Sequence, residues 1–400
     1  MPDRWVACRA MPLVISAIHA ENYRTLKRIT LPTANLNVFI GANGVGKTNL
    51  YRALQLIQAA AAGTLSHELA AEGGMASVLH AGERSSRKPV RLTLRVELAD
   101  ARTACVEYAY EVSVGLKAPT SAAFDDEPLI KQETLRQFQR GRSYTLMDRK
   151  NGALTLLDEN GVKVQMAMDL LASETALANV QDADRFPALQ LIRRTLLDWR
   201  FYHGFRTDRD AMLRRDCFAV AAPTLASDGG NLAAVFATLA HIREDKQDLD
   251  DAISDAFPGA RLVIPVPHRY ASFGLQYPDY PQRVFEPLEL SDGTLHYLAL
   301  CGALLAYRLP AFVALNEPET SLHPDLIDPL ARLIVRASQR TQVWLVTHSQ
   351  ALADALATHG GVPLRQVVKT KGATWIDGLT LGGDFSDDRD PVPDDEWHDR

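Results

Sequence analysis

The chain has 400 residues, 46% of them apolar and 23% charged, with a formal net charge of −6 at pH 7. That length and apolar content suit one large packed domain or two ordinary ones and exclude a disordered polymer. No apolar run reaches the roughly 18 residues of a membrane span, the N-terminus lacks the long apolar stretch of a secretory signal, and Cys8, Cys105, Cys217 and Cys301 lie too far apart for a zinc site. A cytoplasmic protein with reduced thiols and no membrane partner is expected.

Met11 is a candidate start, because patterned sequence begins only at Leu13. Residues 13–20 and 36–40 read as strands. The second runs into a glycine-rich loop, and Leu50, Ala53, Leu54 and Ile57 then form a helical stripe over 49–62 that Gly63 is placed to stop. From 90 to 157 the pattern changes to strict alternation, as in Val90, Leu92, Leu94, Val96 and Leu98, then Val106, Tyr108, Tyr110, Val112 and Val114. Lys150-Asn151-Gly152 and Glu159-Asn160-Gly161 supply turn signals, so this stretch predicts an antiparallel, half-exposed sheet. Residues 165–260 read as mostly helical, with Pro187 suited to a first helical turn and Leu232, Val235, Phe236, Leu239 and Ile242 on one stripe. No sustained heptads support a long coiled coil. Beyond 285 the chain alternates helix 294–308, strand 311–316, helix 325–339, strand 342–347 and helix 349–358, the rhythm of a parallel sheet covered by helices. The segment 384–400 holds eight acids and two arginines, which is the whole net charge. It is expected to be disordered, and it leaves the rest near neutral, so the overall balance says nothing against a nucleic-acid partner.

Residues 41–48, Gly41-Ala42-Asn43-Gly44-Val45-Gly46-Lys47-Thr48, match GxxxxGK[ST]. Glycines allow the positive φ that turns backbone N–H groups toward phosphate oxygens, and the following helix start favours an anion. Lys47 is placed to reach the outer phosphates and Thr48 to ligate Mg²⁺. A strand before the loop and a helix after it make a chance glycine turn a poor reading.

A second group of motifs lies late in the chain. Leu290-Ser291-Asp292-Gly293-Thr294 precedes a helix. The strand ending in Phe312-Val313-Ala314-Leu315 leads to Asn316-Glu317-Pro318-Glu319, with Ser321-Leu322-His323-Pro324 beyond. The strand Val343-Trp344-Leu345-Val346 ends in Thr347-His348-Ser349. An acid at the end of a buried parallel strand sits at the sheet edge where ligands bind. Glu317 is placed to polarise a water, His348 to touch that water or a phosphate, and Ser291 and Gly293 to offer hydroxyl and N–H groups to a phosphate. Each has a plainer reading: a helix cap, a structural histidine, a Glu-Pro turn. Their joint order behind a phosphate loop outweighs these.

Together the motifs resemble the ABC-type AAA ATPases of the RecF/SMC-like group, here without a long coiled coil. The loop 41–48 resembles Walker A, 290–294 the signature, 312–318 Walker B, 321–324 the D-loop and His348 the switch histidine. Asn22-Tyr23-Arg24 is similar to a short motif ahead of Walker A whose basic residue lies near the nucleotide. The resemblance implies an α/β P-loop NTPase: an ABC-type head with a mixed or parallel sheet flanked by helices, an antiparallel β subdomain and a helical insertion. It sets a single head over 11–383, with a Walker A lobe 11–164, an insertion 165–284, a lobe 285–383 and the tail 384–400. It also implies ATP and Mg²⁺ as ligands, with Arg24, Gly41, Asn43, Gly44, Gly46, Lys47, Thr48, Asn49, Ser291 and Gly293 at the nucleotide, Thr48 and Asn316 at the metal, and Glu317 and His348 in hydrolysis. Two heads of this group sandwich ATP, so Ser291 and Gly293 act on a nucleotide held by a second copy in an ATP-dependent homodimer.

Two departures stand out. Asn316 replaces the usual Walker B aspartate, which removes a negative charge beside Mg²⁺ and predicts slow turnover. Asp292 replaces a glycine of the signature. The Q-loop glutamine stays open between Gln132, Gln137 and Gln139. For the task, one reading is DNA repair or genome maintenance with DNA as partner, supported by Arg193, Arg194, Arg206, Arg209, Arg214 and Arg215 near Trp199, Phe201, Tyr202 and Phe205, though a solvated helix face over core aromatics fits that stretch as well. The other is a regulatory or anti-phage defence ATPase acting through a separate effector protein. About fifty residues follow Ser349, too few for the nuclease domain of OLD-type relatives. A transporter subunit ranks last.

Overall fold

The computed structural model describes residues 13–82, 91–100, 106–116, 126–166, 169–243, 246–380 and 382–385. Met11, Cys8, Cys105 and nearly all of the acidic tail lie outside them. The chain begins with β1 (Leu13–Tyr23), β2 (Leu26–Pro32) and β3 (Leu36–Ile40), then α1 (Lys47–Ala62), α2 (Leu65–Ala71) and α3 (Gly74–Val78). Six strands follow: β4 (Leu92–Asp100), β5 (Val106–Gly115), β6 (Leu129–Gln139), β7 (Arg142–Lys150), β8 (Ala153–Leu157) and β9 (Lys163–Met166). Next come α4 (Ala176–Asn179), α5 (Pro187–Asp198), β10 (Arg200–Tyr202), β11 (Cys217–Phe218), α6 (Leu232–Ala237), α7 (Gln247–Ala256) and strands β12 (Arg261–Val263), β13 (Tyr270–Ala271) and β14 (Gly274–Gln276). The last part is α8 (Asp292–Leu305), β15 (Phe312–Asn316), α9 (Ile327–Ser338), β16 (Gln342–Thr347), α10 (Gln350–Gly360), β17 (Leu364–Thr370) and β18 (Ala373–Ile376).

Two compact units share this chain. One comprises the residues up to Ala34, Ala42–Trp199 and those from Gln366 on; the other comprises Asn35–Gly41 and Arg200–Arg365. The first is built on an eight-stranded antiparallel sheet in the order β2-β1-β4-β5-β6-β7-β8-β9. In β4 the alternation takes its expected form: Leu92, Leu94, Val96 and Leu98 are buried and the residues between them are half-exposed. Lys150 pairs with Ala153 across Asn151-Gly152, and Asn151 takes the positive φ of 53° that a two-residue hairpin turn needs. The alternating stretch is therefore part of a larger sheet that recruits β1 and β2.

α1 buries residues nearly all round, among them Leu50, Tyr51, Leu54, Leu56 and Ile57, as expected of a helix enclosed within its own unit. Gly63 ends it in the left-handed conformation, at φ 82°. Gln58 Nε2 donates to the carbonyls of Leu196 at 3.1 Å and Trp199 at 2.9 Å, which ties α1 to the C-terminus of α5.

The second unit holds four parallel strands, β10, β15, β16 and β3, in that order. β15, β16 and β3 are buried along their whole length, the composition expected of a parallel sheet covered on both faces. Their register places Asn316 beside Val346 and Thr347 beside Ile40, so the three strands end at one edge. The segment 165–260, expected to be mostly helical, is mixed: β10 and β11 lie between α5 and α6, and α6 passes into a π-helical turn, Thr238–Arg243. Pro187 does open α5 at its first turn. Ile242, placed on the apolar stripe, is exposed, because the wider π turn shifts the helical phase.

Candidate functional site

The chain leaves β3 at Ile40 and enters the loop 41–46 before α1 begins at Lys47. Gly44 and Gly46 have φ of 81° and 99°. A Cβ at position 46 would lie 1.9 Å from the Thr374 hydroxyl and 2.5 Å from that of Thr25, a collision with both. Only glycine fits there, for conformation and for space. Thr374 Oγ1 donates to Val45 O at 2.7 Å and lies 2.5 Å from Thr25 Oγ1, which in turn accepts from Asn49 Nδ2 at 2.7 Å. This chain of hydrogen bonds pins the loop backbone from β18 and from the turn after β1. Asn49, expected at the nucleotide, thus braces the loop.

α1 starts with no side-chain cap and no acid in its first turn, so its own residues leave the positive end open to an anion. Lys47 is 5% exposed, and its Nζ donates to Ala42 O at 2.9 Å, closing the loop on itself. Asn43, Gly44 and Thr48 are exposed. These features form a cradle of glycine backbone, one cation and one hydroxyl, which fits phosphate oxygens.

Arg24 occupies a left-handed turn position, φ 50°, and its guanidinium pairs with Glu72 at 2.7 Å. Glu72 is nearly buried and also takes Arg52 and the Tyr23 hydroxyl. Gln132, Gln137 and Gln139 all lie on β6.

In the second unit the late motifs converge. Glu317 follows β15 at φ 49°, a strained conformation for a residue with a side chain, held by its N–H on Val346 O at 2.7 Å. Glu317 Oε1 lies 3.4 Å from His348 Nδ1. Glu319 completes the group and is the residue to which sequence reasoning assigns no role. Its side chain is 6% exposed, and Oε1 accepts from Thr347 Oγ1 at 2.5 Å and from His348 N at 3.3 Å while lying 3.6 Å from His348 Nδ1. Two carboxylates therefore face one ring nitrogen. The second acid in Asn-Glu-Pro-Glu is the signal that could have found it. Asn316 is 6% exposed, and its Oδ1 is buried with no hydrogen-bond partner among the described residues. An orphaned carbonyl oxygen suits a hard cation that takes oxygen ligands, so the residue at this position fits Mg²⁺.

Ser291 caps α8, its Oγ accepting from Thr294 N at 3.2 Å. A side chain at Gly293 would meet Ser321 O at 2.8 Å, so glycine is what lets α8 approach the 321–324 turn. Ser291, Gly293, Thr294, Ser321 and His323 line one open cavity of about 600 Å³.

The aromatic residues of the arginine-rich stretch belong to the core. Trp199, Phe201, Tyr202 and Phe205 are buried, Arg206 pairs with Asp208 and Arg215 with Asp210, and Arg214 is buried. Core packing withdraws these rings from base stacking.

A family model described as "AAA domain, putative AbiEii toxin, Type IV TA system" matches residues 36–354. No curated protein matches the chain. Among solved structures, an SmcHead bound to the C-winged helix domain of ScpA shares 15% identity over 92% of this chain and 99% of its own, with a TM-score of 0.51. An Smc head domain with an extended coiled coil from Pyrococcus furiosus (14%, 92% and 97%, 0.49) and an SMC head domain from Thermotoga maritima (16%, 91% and 98%, 0.42) also align. The fold is SMC-head-like. Among the described residues, no helix is long and apolar enough to cross a membrane.

Proposed function

The chain belongs to the AAA domain family whose model spans residues 36–354, and on that premise we propose that it binds and hydrolyses ATP and dimerises around it. The observation that carries this reading is the convergence of Glu317, His348 and Glu319 at the ends of β15 and β16, at the sheet edge where β3 also ends. Lys47 and the N–H groups of 41–48 hold the phosphates. As the resemblance implies, Thr48 and Asn316 would offer oxygen ligands to Mg²⁺, which would supply charge neutralisation on the phosphate oxygens. Glu317 accepts the proton of the attacking water, and its strained backbone keeps the carboxylate at the strand end. With Nδ1 turned to the carboxylates, His348 offers Nε2 to the water or the outer phosphate. Asn316 contributes no charge, so metal is held less firmly and turnover is slow.

Ser291 and Gly293 serve a nucleotide on a second copy, as the resemblance implies. The test is sedimentation of Glu317→Gln with and without ATP. A dimer that forms only with ATP is the expected result; a monomer at saturating ATP refutes the sandwich.

For the biological task, the family's toxin–antitoxin description favours a regulatory or defence role through a separate effector protein over DNA repair. Burial of the four aromatic rings weakens the stacking part of the DNA reading. An effector retained on the tagged protein only with ATP supports this assignment. A salt-sensitive DNA complex with no effector returns the reading to DNA repair.

A further inference from the structure

Arg214 closes a short 3-10 turn, Met212–Arg214, with its side chain 8% exposed. A buried arginine needs partners for its charge and its five N–H donors. Arg214 Nε donates to Thr207 O at 2.8 Å. Nη1 donates to Pro287 O at 2.7 Å and Leu290 O at 2.9 Å, and Nη2 to Asp292 Oδ1 at 2.7 Å. Three of these four acceptors lie in the six residues 287–292, immediately around Ser291. On the other side, Gly293 packs against the backbone of Ser321. The start of α8 is therefore held from two directions.

This arrangement accounts for the acid at 292. Asp292 is the first residue of α8, where a negative charge complements the helix dipole. It is also the counter-ion of a guanidinium that would be costly to bury alone. A glycine at 292 would leave Arg214 without its only carboxylate partner among the bonds just described.

We propose that Arg214 is a positioning residue for the segment 290–294: it fixes the two carbonyls ahead of Ser291 and, through Asp292, the first turn of α8, so that Ser291 meets a phosphate of the second copy already oriented. The inference rests on the proposed ATP-bound dimer. It also couples the 207–215 loop to dimer formation, since Thr207 O shares the same guanidinium. Lysine keeps the charge but not the planar fork that reaches several acceptors at once.

The experiment places Arg214→Lys and Arg214→Met in the Glu317→Gln background. Three quantities are read: dimer dissociation constant at saturating ATP, ATP affinity of the monomer, and amide exchange of residues 290–295 without nucleotide. Both substitutions should weaken the dimer by about tenfold or more, given charge-assisted bonds lost. Exchange at 290–295 should speed up by a similar factor, with monomer ATP affinity within about twofold and the β16 amides unchanged. Asp292→Asn should weaken the dimer less, and adding it to Arg214→Met should cost little more. If Arg214→Met exposes the β16 amides, its fold is disturbed and Arg214→Lys decides. A Glu317→Gln dimer that Arg214→Lys leaves equally tight overturns the positioning role alone. If Glu317→Gln itself never dimerises, this role and the sandwich both fall.

Discussion

At the residue scale, the site turns on which atoms face His348. Glu319 accepts from the buried Thr347 hydroxyl and from the His348 N–H, and its oxygen shares Nδ1 with Glu317. Glu319→Gln keeps an acceptor for both donors but removes a charge. Glu319→Ala leaves the buried Thr347 O–H without its carboxylate acceptor, while Oγ1 still accepts from Ser349 N at 2.9 Å. Stability should therefore be near wild type for Gln and lower by about 1–3 kcal/mol for Ala, read by denaturant unfolding. Both should slow hydrolysis by roughly tenfold or more through loss of the histidine's orientation, with nucleotide affinity kept. Wild-type turnover in Glu319→Gln would show that Glu319 only braces the strand. Glu319 stands in plain view in the Asn-Glu-Pro-Glu run, yet its role comes from Thr347 and His348, 28 and 29 residues away. Arg214 reads in sequence as a surface cation for the same reason: its carboxylate partner lies 78 residues along the chain. Residue type and spacing identify candidates, and long-range partners decide what each one does.

At the element scale, α8 links the segment 290–294 to the turn after β15. His296 Nε2 bonds Pro318 O at 3.1 Å, and its ring meets Phe205 edge-on. Burial holds the imidazole below its ordinary range, opposed in part by the Pro318 bond. A base whose folded pKa is lowered costs nothing while both states are neutral. As pH falls below the unfolded value, near 6.5, the unfolded chain takes a proton that the folded chain refuses. Stability should then drop by up to about 1.4 kcal/mol per pH unit, down to the folded pKa. Thermal unfolding at pH 7.5 and 5.5 should show a larger loss in the wild type than in His296→Gln, which keeps a donor for Pro318. Equal losses would mean that His296 is already charged in the folded protein. Elements with a clear apolar pattern are legible in the sequence: β4 by its alternation, β15 and β16 as unbroken apolar runs, and α1 by its stripe and Gly63. β2 is not, since its buried residues, Leu26, Ile29 and Leu31, break strict alternation. The 165–260 region misleads because its short strands, β10 and β11, are only three and two residues long and leave no period to detect.

At the scale of the whole molecule, the chain divides between an antiparallel-sheet unit and a parallel-sheet unit, with β3 in one and the helix it feeds in the other. That interleaving explains why the phosphate loop and the late motifs are so far apart in sequence. We propose that the loop 41–48 binds ATP and that Glu317 drives its hydrolysis. The most direct measurement is phosphate release by wild type and Glu317→Gln at saturating ATP and Mg²⁺, with bound nucleotide quantified in the same samples. Release slowed about a hundredfold or more in Glu317→Gln, with nucleotide still bound, is the predicted result; release at the wild-type rate would contradict it.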